Sequence, residues 1–266
     1  MLLLLYFNPT VPVMLSSKNY RRVALSLIFG SILISSCNRH FTVSGNQYKE
    51  YAIDQSAGID SSLVRYYLPY KKQMDAEMSR VIGQTDQELT KTSDPETLIG
   101  DFFSDAILTE GLKKDPAIQF TLSTKGGLRT SFPKGNITVS NVFELMPFEN
   151  ELVVLKLSGA SVQKVIDFIA KSSGQPVAGI RMNIQDKKGT DVMIAGKPFD
   201  ITQSYNLLTY DYLANGAEGL EFLSEATERK NIDKKVRDAL IDYINGLTSA
   251  GKTINTQLDG RIVVNN

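Results

Sequence analysis

The chain has 266 residues, 42% of them hydrophobic and 22% charged, which is enough for one or two domains with a real core. Its 29 Lys and Arg balance 29 Asp and Glu, and this neutrality argues against phosphate-backbone binding as the main role, so no nucleic acid is expected as a partner. One Cys and one His exclude an intrachain disulfide and leave no imidazole for a second catalytic or metal-binding position.

Lys18, Arg21 and Arg22 precede VALSLIFGSILISS, a short run without charge, and Cys37 follows. A basic start, a short apolar stretch and a small-residue end predict a secretory signal over 1–36, with Met14 as an alternative start. Leu33-Ile34-Ser35-Ser36-Cys37 resembles a bacterial lipobox. That resemblance implies lipidation at Cys37, export across the inner membrane, and an outer-membrane, periplasmic setting with contact to the bilayer through the lipid alone. Residues 37–58 are polar and aperiodic and predict a tether, with His40 as a solvated tether residue.

The body, 59–266, carries mixed patterns. Asp60 predicts an N-cap, and Leu63, Tyr66, Tyr67, Tyr70, Met74 and Met78 recur at helical spacing; Pro69 is expected to kink or restart that helix. VIGQTDQEL reads as strand and turn, and a second helix spans Glu96 to Leu112. AIQFTLST (117–124) reads as a buried strand broken by Gly126-Gly127, FPKGN as a turn, and SNVFELM as a short helix stopped by Pro147. ELVVLKLS (151–158) is a strand, and SGASVQKVIDFIAK is a helix with Val162, Val165, Ile166 and Ile169 inward. GIRMNIQ is a strand, DKKG a turn, and SYNLLTYDYLA (204–214) a strand ending at Asn215-Gly216. A helix over Asp233 to Gly246 and a strand GRIVV (260–264) close the chain. Strands and helices without strict alternation predict an α+β layered domain whose mixed β-sheet is flanked by helices.

Candidate binding residues gather at two glycine-punctuated turns. Gly126 and Gly127 allow positive φ and close approach of a ligand to the backbone. Arg129 forks two hydrogen bonds onto a phosphate, carboxylate or ribose edge, or is a plain surface arginine. Phe148, set by Pro147, and Tyr212, just before Asn215-Gly216-Ala217-Glu218-Gly219, either clamp a flat ring or serve as core aromatics.

ETLIGDFFSDAI, GGLR, GNIT, VFELMPFEN with LVVLKLSG, and YLANGAEG occur in that order. Together they resemble the C-terminal, substrate-binding domain of bacterial 5'-nucleotidases and UDP-sugar hydrolases, from about residue 60 to the end. The resemblance implies an α+β domain whose Phe148 and Tyr212 clamp a nucleoside base. It places Arg129 at the family's arginine, Glu218 at its sugar-contacting acid, and Gly126, Gly127 and Asn215 in the binding turns. Thr124-Lys125 replaces the family's Asn-Gly, and Pro95 stands where an arginine is common, which points to an altered pocket.

Those enzymes also carry a metallophosphoesterase domain with DxH, GNHE and GHTH motifs, and none of these occurs in the sequence. The resemblance therefore implies no catalytic residue and no metal ligand in this chain. A separate metallophosphoesterase chain would bring the divalent metals and hydrolyse a nucleotide bound here. The alternatives are an envelope lipoprotein that binds nucleosides or nucleotide sugars without catalysis, and a degenerate interaction scaffold.

Overall fold

A computed structural model describes residues 21–22, 24–26, 48–51, 54 and 58–265. Cys37, His40 and most of the predicted signal and tether lie outside the described residues. The chain divides into a unit Met1–Ile59 and a unit Asp60–Asn266, and the fold below is that of the second. Among the described residues no helix is long and apolar enough to cross a membrane.

In chain order the elements are α1 (Ser61–Met78), β1 (Val81–Thr85), α2 (Leu98–Lys114), β2 (Phe120–Leu122), β3 (Gly135–Thr138) and α3 (Val139–Leu145). Then come β4 (Glu151–Ser158), α4 (Gly159–Lys171), β5 (Val177–Ala178), β6 (Ile180–Gln185), β7 (Lys188–Ile194) and β8 (Lys197–Pro198). β9 (Ser204–Tyr210), α5 (Asp211–Ala214), two 3-10 turns (Ala217–Gly219 and Glu221–Glu225), β10 (Glu228–Lys235), α6 (Val236–Ser249) and β11 (Ile262–Val264) complete it. The architecture is α+β, with mixed sheets flanked by helices.

The main sheet runs β10-β4-β9-β2-β5, a second runs β11-β6-β7-β8, and β1 pairs with β3. β9 is the hub. It pairs antiparallel with β4 from Leu152↔Tyr210 to Ser158↔Ser204, and parallel with β2 at Phe120↔Leu207 and Thr121↔Leu208. Leu152, Val153, Val154 and Leu155 are buried in succession, so both faces of β4 are covered and its apolar run needs no alternation. Helix ends are capped by side chains the sequence supplies. Thr97 accepts from Gly100 N, Ser158 from Ser161 N, and Thr138 and Asn141 form a reciprocal box at α3.

Several boundaries differ from expectation. Pro69 lies inside one continuous α1, whose helix buries no residue, so water can satisfy the carbonyl that a proline leaves unpaired. The strand begins inside the FPKGN segment expected to be a turn, because Gly135 to Thr138 pairs with β1. Asp233 to Lys235 end β10, and the helix begins at Val236. The 204–214 strand stops at Tyr210, and Asp211 to Ala214 turn helical. Only Phe120 to Leu122 of the 117–124 strand pair as a strand. Exposed, charged β10 carried no apolar pattern to announce it.

A buried ionic cluster ties the C-terminal strand to α2. The Arg261 guanidinium chelates Asp105 at 2.7 and 3.1 Å, pairs with Asp259 at 3.1 Å, and donates to the Val177 carbonyl at 2.9 Å. Asp101 lies 3.4 Å from the same guanidinium, and its Oδ2 is buried without a hydrogen-bond partner. Burial pushes the Asp101 carboxyl up to about 8 against the pull of Arg261, with Glu96 and Asp105 adding to the rise. The folded state thus holds a proton that the unfolded chain releases near its ordinary value.

This cluster and the glycine contacts give two predictions. A carboxyl whose folded pKa is raised contributes stability below its unfolded pKa, and that contribution fades as pH climbs toward the folded value. Thermal unfolding should therefore show Tm falling between about pH 4 and about pH 8, with the slope flattened in Asp101→Asn. A Cβ on Gly159 would sit 2.1 Å from the Ile201 carbonyl oxygen, whereas one on Gly246 in α6 meets nothing within 4 Å. Denaturant melts should show Gly159→Ala destabilising by at least ~1–3 kcal/mol and Gly246→Ala stabilising by roughly 0.5–1 kcal/mol.

Candidate functional site

The pairing pattern brings three chain segments to one end of the main sheet. Parallel β2 and β9 deliver their C-terminal ends there, and antiparallel β4 delivers its start. A cavity of about 200 Å³ opens between them, lined by Gly126, Gly127, Arg129, Phe148, Asn150, Tyr210, Tyr212 and Glu218. Six of the seven binding residues expected from sequence meet here.

Phe148 stands at the mouth, 42% exposed, on the loop between α3 and β4. Its position is fixed from below by α6. Buried Arg237 donates to the Phe148 carbonyl at 3.0 Å, lies 4.3 Å over the Phe143 ring, and pairs with Glu149. Val236 N donates to the Asn150 carbonyl at 2.9 Å, so the first turn of α6 holds both ends of the loop. Tyr212 stands on the short α5 and is 50% exposed. Asp211 Oδ1 accepts from Tyr212 N at 2.8 Å and from Glu151 N at 3.2 Å, which bolts α5 to the start of β4. Exposed aromatic rings at the mouth of a cavity differ from core aromatics, the alternative that the sequence alone had left open.

The glycine pair serves close approach rather than positive φ, since neither residue lies in the left-handed region. A Cβ on Gly126 would stand 3.2 Å from Glu218 Oε2, and one on Gly127 2.6 Å from the Tyr210 hydroxyl. Gly127 N donates to the Thr124 carbonyl at 3.0 Å, closing the turn, and Arg129 N donates to the Leu145 carbonyl at 2.9 Å. The Arg129 side chain is exposed and reaches back to the Gly126 carbonyl at 3.3 Å. Glu218 adopts φ 58° between Gly216 at 92° and Gly219 at 82°. A non-glycine there costs about 1 kcal/mol, and the strain aims its carboxylate over Gly126.

Asn215 is not in the cavity. Its Oδ1 accepts from Arg229 Nη1 at 2.7 Å on the other side of the turn, so its amide braces the turn against β10. Lys125, beside the glycines, is also turned away: its Nζ donates to the carbonyls of Ser93 at 3.2 Å and Ser173 at 3.3 Å. Burial pulls the Lys125 pKa down, with Asp94 opposing. Asn150 and Tyr210 line the cavity and were not singled out in the sequence. Tyr210 was legible only as a polar-tipped aromatic ending a buried strand. Asn150 follows Phe148 closely and shares its loop.

The cavity offers two aromatic faces, one guanidinium, one carboxylate, a side-chain amide and a phenol. That set suits a flat ring joined to a hydroxylated, anionic group. Among the described residues no group of three or more His, Cys, Asp or Glu is placed to hold a metal ion. The donor set of Glu218 and Asn150 does not fit a two-metal centre.

Residues 81–225 match the family model described as the 5'-nucleotidase C-terminal domain. A Yersinia enterocolitica protein named UshA is 26% identical over 174 residues, covering 62% of this chain and 31% of its own length. A Vibrio parahaemolyticus 5'-nucleotidase is 23% identical over 237 residues, covering 85% of this chain and 41% of its own. The crystal structure of a 5'-nucleotidase precursor from Thermus thermophilus superposes with a TM-score of 0.65 at 26% identity, over 76% of this chain and 43% of that one. This chain thus spans less than half the length of each of these relatives. Over the matched span and in its fold, it belongs to the 5'-nucleotidase C-terminal domain family.

Proposed function

We propose that this chain is the nucleotide-recognition component of a 5'-nucleotidase-type phosphohydrolase and works with a separate metallophosphoesterase chain that holds the divalent metals. The observation that carries this reading is the convergence of Phe148, Tyr212, Arg129 and Glu218 on one open cavity. A base enters between the two rings at the mouth. The Glu218 carboxylate accepts from sugar hydroxyls, and the Arg129 guanidinium attracts the phosphate side of the ligand. Base binding in one module orients the phosphoester at the other, which supplies hydrolysis through positioning.

The exposed face of α1 supports a docking role. Leu63, Tyr66, Tyr70 and Met74 are more than half exposed on a helix that buries nothing of its own. An isolated helix of this length is marginal in water, so a covering partner would stabilise it. Lipidation at Cys37 would hold the complex at the outer membrane, where it would release nucleosides from extracytoplasmic nucleotides. The open cavity favours a ligand-binding role over a closed scaffold, and a binding lipoprotein without a catalytic chain would use the same pocket.

Kinetics of the reconstituted complex test the reading. Stacking contributes about 1–3 kcal/mol per base, so Phe148→Ala or Tyr212→Ala should raise KM for AMP roughly tenfold or more. Hydrolysis of a small phosphoester without a base should be unchanged. Equal losses on both substrates would contradict the clamp.

A further inference from the structure

The Tyr210 hydroxyl is not explained by packing. The residue is 1% exposed and ends β9 inside the core, yet it lines the cavity. A phenylalanine would fill the same volume. The hydroxyl's partners both belong to Thr124: its backbone, and its Oγ1 at 3.5 Å, the outer limit of a hydrogen bond, an oxygen that already accepts from Gly127 N at 3.3 Å. A desolvated phenol whose partners all come from one residue keeps hydrogen-bonding capacity for a ligand hydroxyl.

The neighbouring turn makes room for it. Gly127 must lack a side chain because a Cβ would lie 2.6 Å from the hydroxyl. At the adjacent Gly126 the same space is filled by the Glu218 carboxylate, held there by a strained backbone. Consecutive glycines therefore face two oxygen groups of different character. The carboxylate only accepts, while the phenol both donates and accepts. Burial pushes the Tyr210 hydroxyl up to about 12, and the Glu218 charge adds to the rise, so the phenol keeps its proton.

We propose that Tyr210 is a sugar-reading residue: its hydroxyl and the Glu218 carboxylate together take the vicinal hydroxyls of a ribose, so the pocket prefers ribonucleosides to their deoxy counterparts. The assignment rests on the nucleoside reading above. A vicinal diol presents two donors and two acceptors. One hydroxyl donates to Glu218, and the other donates to the Tyr210 oxygen or accepts its proton. A deoxy sugar leaves the phenol with Thr124 alone beneath a base that seals the mouth, and a buried polar group that loses its ligand partner away from water is a source of discrimination.

Calorimetric titration of the full chain with adenosine, 2'-deoxyadenosine and 3'-deoxyadenosine tests this. Wild type should bind adenosine about tenfold more tightly than at least one of the two deoxy ligands. Tyr210→Phe, which keeps the ring, should weaken adenosine to the level of that deoxy ligand and leave the deoxy affinity unchanged. The wild-type preference is read without any variant, so a poorly folded variant does not remove the test. Equal affinity of wild type for all three ligands overturns the assignment, as does a preference that survives in Tyr210→Phe. In both cases the nucleoside reading stands. No adenosine binding by wild type overturns that reading and this assignment with it.

Discussion

The pairing of β9 with strands on both sides is the constraint on which the rest depends. Its antiparallel ladder to β4 and parallel ladder to β2 fix three strand ends at one place. Register does the remaining work. With Leu152 opposite Tyr210, the loop carrying Phe148 and the helical turn carrying Tyr212 must rise side by side above the same point. A slip of one residue would turn Tyr210 to the other face of the sheet and separate the two rings. The buried run on β4 and the buried residues of β9 specify that register, so the hydrophobic core and the cavity have one origin.

The parts of the cavity that bear polar groups are held by contacts outside it. Arg237 under the Phe148 loop, Asp211 at the head of α5 and Asn215 against Arg229 each anchor one wall. None of the three lines the cavity. Such bracing keeps two half-exposed rings in place before a ligand arrives, which lowers the ordering cost of binding. Glu218 is the exception, since its left-handed backbone carries strain at the point where its carboxylate faces the cavity. These side chains suit recognition, and they do not suit holding a pair of metal ions.

Much of this was legible in the sequence, for identifiable reasons. Long apolar patterns announced α2, β4, α4 and most of α6, because burial and pattern agree there. The ordered blocks around Gly126-Gly127, Phe148 and Glu218 marked residues that converge in space. What failed was local competition. Tyr212 reads as strand by its aromatic neighbours, but Asp211 accepts from its own helix turn and ends β9. Asn215 looks like a turn residue facing the ligand, but Arg229, fourteen residues on, takes its amide oxygen. Charged β10 is an edge strand, whose pairing with β4 leaves no apolar trace in its own sequence. Tyr210 was hidden because its pattern places it in the core, where it is buried even though it lines the cavity.

The central claim is that the cavity takes a nucleoside by its base. The most direct measurement is a crystal structure of the chain grown with adenosine. The account predicts the adenine ring lying between Phe148 and Tyr212, with the ribose hydroxyls against Glu218 and the glycine turn. Adenosine bound elsewhere, or two rings in van der Waals contact across a closed mouth, would contradict it.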